Sequence, residues 1–151
     1  MQSAMEPGEA VSSLELFVPG VFVGKGRPRL GRGGHVYTPA KTAEQERTIG
    51  WAAKEAIAKL PGAWSLTGPM SLWAWFTLPI PASWSKKRKA APGSHTSKPD
   101  LDNLLKLLDA CNGILWKDDA QLVILVAGKS YGAQPGLELK VRHHVLAQEA
   151  L

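Results

Sequence analysis

The chain has 151 residues, 44% of them hydrophobic, with a formal net charge of +5. That length suits one ordinary domain with a real core, and the positive balance favours an anionic partner. The lone cysteine, Cys111, excludes a disulfide within the chain and makes a reducing, cytoplasmic setting the default, and the absence of any run of about 18 apolar residues excludes a membrane-spanning helix.

Residues 1–13 are polar and small and lack the basic-then-apolar order of a signal peptide, so they read as a disordered leader. Residues 14–23 (LELFVPGVFV) read as a strand or hairpin interrupted at Pro19-Gly20. Residues 24–39 are rich in Gly, Pro and Arg and read as a loop. Residues 40–60 favour a helix that Pro61-Gly62 stops, with Ile49, Ala52, Ala53, Ala56, Ile57 and Leu60 on its buried face. Residues 70–78 (MSLWAWFTL) form a second strand ended by Pro79 and Pro81. Residues 83–91 suggest a short basic helix and residues 92–99 a loop. Residues 102–111 carry a strong helical pattern, and residues 121–131 and 137–144 read as strands joined by a turn. The order β-α-β-(α)-α-β-β predicts an α+β single domain: a mixed β-sheet with helices packed on one face. The domain should span residues 14–146, with residues 147–151 as a C-terminal tail.

Acidic residues gather in one part of this basic chain, in Lys98-Pro99-Asp100-Leu101-Asp102-Asn103-Leu104-Leu105-Lys106 and again in Asp118-Asp119-Ala120-Gln121. Crowded carboxylates repel unless a proton or cation sits among them, and hard oxygen ligands suit Mg²⁺ or Mn²⁺. Inside one helix Asp100 and Asp102 would point about 200° apart. Asp100 should therefore precede the helix, extended or at its N-cap, which Pro99 favours. From there the two side chains can converge. Leu101, Leu104, Leu105 and Leu108 make the core face, while Asp102, Lys106 and Asp109 fall opposite. Two readings stay open for each group. Asp100 and Asp102 are caps near the positive end of a helix dipole, or metal ligands. Asp118-Asp119 is a polar turn before a strand, or part of the same site. Lys106 and Asp109 belong to a solvent-side ion ladder, or Lys106 reaches a reacting phosphate.

The segment KPDLDNLLKLLDACNGILWKDDAQLV (residues 98–123) resembles the signature of RusA-type Holliday junction resolvases. A looser resemblance covers residues 26–29 and residues 81–89 (PASWSKKRK), the latter similar to the phage branch. The stretch from Pro79 to Ser97 is longer than in short members of the family. The resemblance implies that Asp100, Asp102 and Asp119 are essential metal-site carboxylates, that Lys106 is the catalytically important lysine, and that Asp118, first of the Asp pair, is a further candidate ligand. It also implies an Mg²⁺-dependent homodimer, with Mn²⁺ as a substitute. That dimer would nick two opposed strands of a four-way DNA junction during recombination and repair in a bacterial or phage-infected cell, leaving 5′-phosphate and 3′-hydroxyl ends.

Ten of the 18 Lys and Arg residues lie in two acid-free stretches: Lys25, Arg27, Arg29, Arg32 and Lys41, then Lys86, Lys87, Arg88, Lys89 and Lys98. They read as flexible phosphate contacts for DNA, or as solvated loops. The glycines near Lys25 lack the GxxxxGK[ST] order, so no nucleotide cofactor is expected. Trp84 and Trp116 either stack on bases at a branch point or pack in a core or interface; packing is preferred. His143-His144 face opposite ways on a strand and make a poor metal clamp. Cys111 reads as a buried small hydrophobe. Three alternatives to the resolvase remain: a nuclease for other branched DNA, a non-catalytic branched-DNA-binding protein, and a catalytically idle scaffold whose dimer merely bends DNA.

Overall fold

Strict alternation of apolar residues organises the centre of the molecule. The computed structural model describes residues 10–37 and 39–144. In strand β4 (Met70–Pro79), Met70, Leu72, Ala74, Phe76 and Leu78 are buried while the residues between them are half-buried. A period of two puts the first set on one face of a sheet. That sheet has four strands in the order β1-β6-β4-β5, formed by β1 (Ser13–Pro19), β4, β5 (Leu122–Gly132) and β6 (Gly136–His143). β6 runs antiparallel to both β1 and β4, whereas β4 and β5 are parallel, so the sheet is mixed. A small hairpin of β2 (Arg29–Leu30) and β3 (Val36–Tyr37) precedes helix α1 (Ala40–Ala58).

Helix α1 lies over the buried face and ends before Pro61, as its sequence predicts. Ile49 and Ala53 are fully buried; Ala52, Ala56, Ile57 and Leu60 pack half-buried against the same core. The α+β expectation therefore holds, with helices on one face of a mixed sheet. The other face stays open. There the indole of Trp75 lies across Gly128, which has no room for a Cβ, and its Nε1 donates to Ser130 Oγ at 2.8 Å.

Two expectations need correcting. The sequence predicts a leader through residue 13, but the fold begins earlier. Val11 is buried, its N–H donates to the Ala63 carbonyl at 2.8 Å, and β1 starts at Ser13. Residues 1–9 and the tail, 147–151, lie outside the described residues. The second correction concerns the helix over residues 102–111. It is α-helical only over α3 (Leu101–Leu105) and tightens to a 3₁₀ segment over Lys106–Cys111. The tighter winding, three residues per turn, moves the buried stripe. Leu107 becomes fully buried beside Leu104, Leu108 and Cys111, while Leu101 and Leu105 stay half-exposed. Burial pushes the Cys111 thiol up to about 12, which makes it inert. Trp116 is also fully buried, with Nε1 donating to Asn112 Oδ1 at 2.7 Å, so it packs in the core.

Candidate active site

Asp100 sits where the Pro99 argument puts it, as the extended N-cap residue of α3 with φ −69° and ψ 142°. Its side chain makes no capping hydrogen bond. Instead its Oδ2 lies 3.1 Å from Lys98 Nζ. Capping therefore does not explain this carboxylate. Its backbone is tied from the sheet: Lys129 Nζ, on β5, donates to the carbonyls of Ser97 at 2.7 Å and Pro99 at 2.9 Å. Lys129 was not legible as a site residue, because a lone lysine in a strand gives no sign of reaching a loop thirty residues away.

The two residues of the Asp118-Asp119 pair differ in role. Asp118 caps a short 3₁₀ turn (Asp119–Gln121): its Oδ1 accepts from Ala120 N–H at 2.9 Å, and Gln121 Oε1 accepts the Asp118 N–H at 2.9 Å. The Gln121 amide also donates to the carbonyls of Leu66 at 2.8 Å and Gly68 at 2.9 Å. This capping box, Asp-x-x-Gln, fixes the turn at the entry to β5. The Ala120 N–H holds the Asp118 carboxyl below its ordinary value. Asp119 is left exposed, and its carboxyl is pushed up by its hydrogen bond with Asp118 and by the charges of Asp118 and Asp109.

The ion ladder along α3 does not form. Lys106 Nζ bonds Asn103 Oδ1 at 3.3 Å and pairs with neither Asp102 nor Asp109. Asp109 turns to Lys25, 3.1 Å from its Nζ, and Glu46 Oε1 lies 2.9 Å from the same ammonium. Burial alone would lower Lys25, but these two carboxylates outweigh it and hold the ammonium above its ordinary value.

Three hollows run in sequence along this surface. The first is lined by Asp100, Lys98, Lys25 and Asn103. The second holds Lys25, Arg27, Asn103, Lys106 and Asp109. The third holds Asp109, Asp119, Leu105, Leu108 and Leu125. Lys25 and Asn103 line both the first and the second, and Asp109 both the second and the third, so the three adjoin as a segmented groove that Asp100, Lys106, Asp109 and Asp119 each line in part. Asp102 is exposed on α3 and lines none of the three. No three acidic, His or Cys side chains stand close enough to hold an ion among the described residues. A cage of Asp100, Asp102 and Asp119 is thus not assembled within one chain. The donors still suit a hard divalent cation: they are exposed oxygens, Asp119 carries uncompensated like charge, and Mg²⁺ needs only one or two carboxylates plus waters and phosphate.

Apart from Lys25, Arg27 and Lys98, the basic residues read as DNA contacts line none of these hollows. Lys86, Lys87, Arg88 and Lys89 are exposed on α2 (Lys86–Ala90), which Ser85 caps. The Arg88 guanidinium lies 3.7 Å from the centre of the Trp84 ring, which packs edge-on to Tyr131. Lys98 and Arg32 are exposed, and the side chain of Arg29 lies outside the described residues. The start of the first basic stretch is not flexible, contrary to expectation: backbone and side-chain bonds fasten residues 23–26 to α1 and α3. His143 and His144 do not converge; His144 Nδ1 lies 3.0 Å from Ser71 Oγ, while His143 packs on Trp64.

An uncharacterized protein, YqaN of Bacillus subtilis (strain 168), is 34% identical over 139 residues, covering 85% of this chain and 95% of that protein. The family model for endodeoxyribonuclease RusA matches residues 19–142, which takes in β4, β5, the hollows and all of β6 but His143, and only the last residue of β1. On that match the chain belongs to the RusA endodeoxyribonuclease family.

Proposed function

We propose that this chain is a structure-selective endonuclease that resolves four-way DNA junctions by metal-dependent nicking of opposed strands, acting as a homodimer. The observation that carries the reading is the groove, in which the carboxylates of a RusA-family chain alternate with Lys25 and Lys106 at the surface. One chain does not gather Asp100, Asp102 and Asp119, so Mg²⁺, or Mn²⁺ in its place, would sit on one or two of these carboxylates, with waters and a DNA phosphate completing its shell. Such an ion supplies a lowered pKa for a bound water and neutralises charge on the scissile phosphate. Among the described residues Lys106 pairs with no carboxylate, so its ammonium would be available to offset charge that develops on the phosphate. Lys129 and Gln121 fix the backbone on either side of the groove, which places Asp100 and Asp119 before substrate arrives.

Support for a dimer comes from β5. Val123, Ile124, Leu125 and Val126 are each 46–53% exposed on this edge strand, which begins after the Asp119–Gln121 turn. An uncharged apolar edge invites pairing with another strand. Two copies about a two-fold axis would offer two equivalent sites to a symmetric junction.

One observation favours a second reading, a branched-DNA-binding protein that does not cut. The described residues of one chain assemble no three-ligand set for a metal. Incubating the protein with four-way, flap and linear duplex DNA, with and without Mg²⁺, separates the readings. Paired nicks in the four-way junction that require Mg²⁺ support resolution. Preferential cutting of the flap would move the substrate class, and binding with no nicks at any metal concentration would favour the second reading.

A further inference from the structure

The loop from Val23 to Arg27 is built more firmly than a DNA tether requires. Val23 exchanges two hydrogen bonds with Gln45: its N–H donates to Oε1 at 2.7 Å and its carbonyl accepts from Nε2 at 3.2 Å. Gly26 N–H donates to Thr42 Oγ1 at 2.9 Å, and Lys25 N–H donates to the Asn103 carbonyl at 3.1 Å. Thr42 and Gln45 are only 2% and 4% exposed, so these anchors belong to the core. Gly24 lets the loop touch α3, since a Cβ there would meet the Asn103 Cβ at 2.9 Å. Asp109 and Glu46 then fix the Lys25 ammonium itself.

Beside this fixed ammonium lies the middle hollow, of about 280 Å³. Lys25, Arg27 and Lys106 line it against one carboxylate, Asp109, and Asn103 adds an amide. The lining is therefore net positive, and it remains so when Glu46 is counted with Lys25. An ammonium acts as a point charge on phosphate oxygens, and a guanidinium adds a fork of donors. Spread lysines on a mobile loop would give diffuse attraction. Three cations around one hollow, one of them held in place by two carboxylates, give a localised positive site sized for one anion.

We propose that this hollow seats one phosphate of the DNA backbone within the cutting groove, with Lys25, Arg27 and Lys106 contacting it and Glu46 and Asp109 as positioning residues for Lys25. The proposal rests on the nucleic-acid reading above but not on cleavage. A free inorganic phosphate shares the chemistry, so the test must tell the two sources apart.

The test is a chemical double-mutant cycle on four-way junction DNA, measured as binding with the metal chelated. Single backbone phosphates near the branch point are replaced one at a time by neutral methylphosphonates. The wild-type chain should lose about tenfold in affinity at one linkage on each equivalent strand, the worth of one charge-assisted contact. Lys25→Met, Arg27→Met and Lys106→Met should each bind the unmodified junction more weakly and become indifferent to that same linkage. Each should also lower the salt slope by about one. Glu46→Gln should weaken the coupling of Lys25 and leave that of Arg27 intact, which a merely structural role would not do. Lys25→Arg should keep part of the coupling, and it carries the test if Lys25→Met does not fold. Coupling of the three residues to different linkages, or to none, would overturn the seat. So would saturation of the hollow by inorganic phosphate, followed through the Gly26 and Asn103 amide signals, without coupling to any DNA linkage. Since no cut is scored, a chain that never cleaves DNA can still pass, and one that cleaves can still fail.

Discussion

Replacing Lys129 by Met tests how the groove is held in shape. The ammonium bonds the carbonyls of Ser97 and Pro99, the residues that lead into Asp100. The Ser97 bond is exposed and the Pro99 bond part-buried. A charge-assisted bond contributes about 1.5–3 kcal/mol when sheltered and considerably less in water. The two together therefore come to roughly 2 kcal/mol. In a domain of this size about 1 kcal/mol moves Tm by about 2–4 °C, so Lys129→Met should lower Tm by about 4–8 °C. The freed segment carries Asp100, so cleavage of a four-way junction should slow by far more than binding weakens. Differential scanning calorimetry and single-turnover cleavage measure the two effects on one preparation. A variant that melts within about 1 °C of wild type and cuts at the same rate would show that Lys129 does not fix the approach to Asp100.

Three further outcomes follow from the same geometry. Lys106→Ala should greatly slow nicking in a single-turnover assay yet leave Tm nearly unchanged, because the side chain is exposed and makes one long bond to Asn103. Leu107→Ala should cost about 2–5 kcal/mol in a urea titration and Leu105→Ala clearly less, the reverse of what an unbroken α-helix would give. His95 is 9% exposed, and burial together with the Lys129 charge lowers its pKa from the ordinary value of 6.5. Its neutral form is the folded one, so the stability it contributes is whole above pH 6.5 and is lost as pH falls below that value. Urea midpoints should therefore decline from about pH 7 to 5, and His95→Gln should flatten that decline.

Much of this was legible in the sequence wherever the interaction is local and periodic. Helix α1 is marked by its apolar spacing and by Pro61, and β4 by strict alternation. Pro99 before Asp100 marks where α3 begins. Other features depend on residues distant in the chain. The strand order β1-β6-β4-β5 places the last strand between the first and the fourth, which no local pattern encodes. Lys25 reaches Asp109 and Lys129 reaches Pro99 only after the sheet and helices have packed. That is why the loop at Lys25 reads as flexible from its glycines and yet is fastened to Gln45 and Thr42. The 3₁₀ winding after Leu105 is set by packing, since the leucine pattern alone fits a continuous α-helix. The capping box of Asp118 and Gln121 is a local signal that could have been recognised, and it separates the roles of the two neighbouring aspartates.

The proposed cutting of DNA depends on the exposed carboxylate of Asp119 acting with Asp100 and Asp102. Its most direct test is the Asp119→Asn variant on a four-way junction, with cleavage scored in Mg²⁺ and binding scored with the metal chelated. Binding equal to wild type and no nicks are expected. Nicking at the wild-type rate would contradict that role for Asp119.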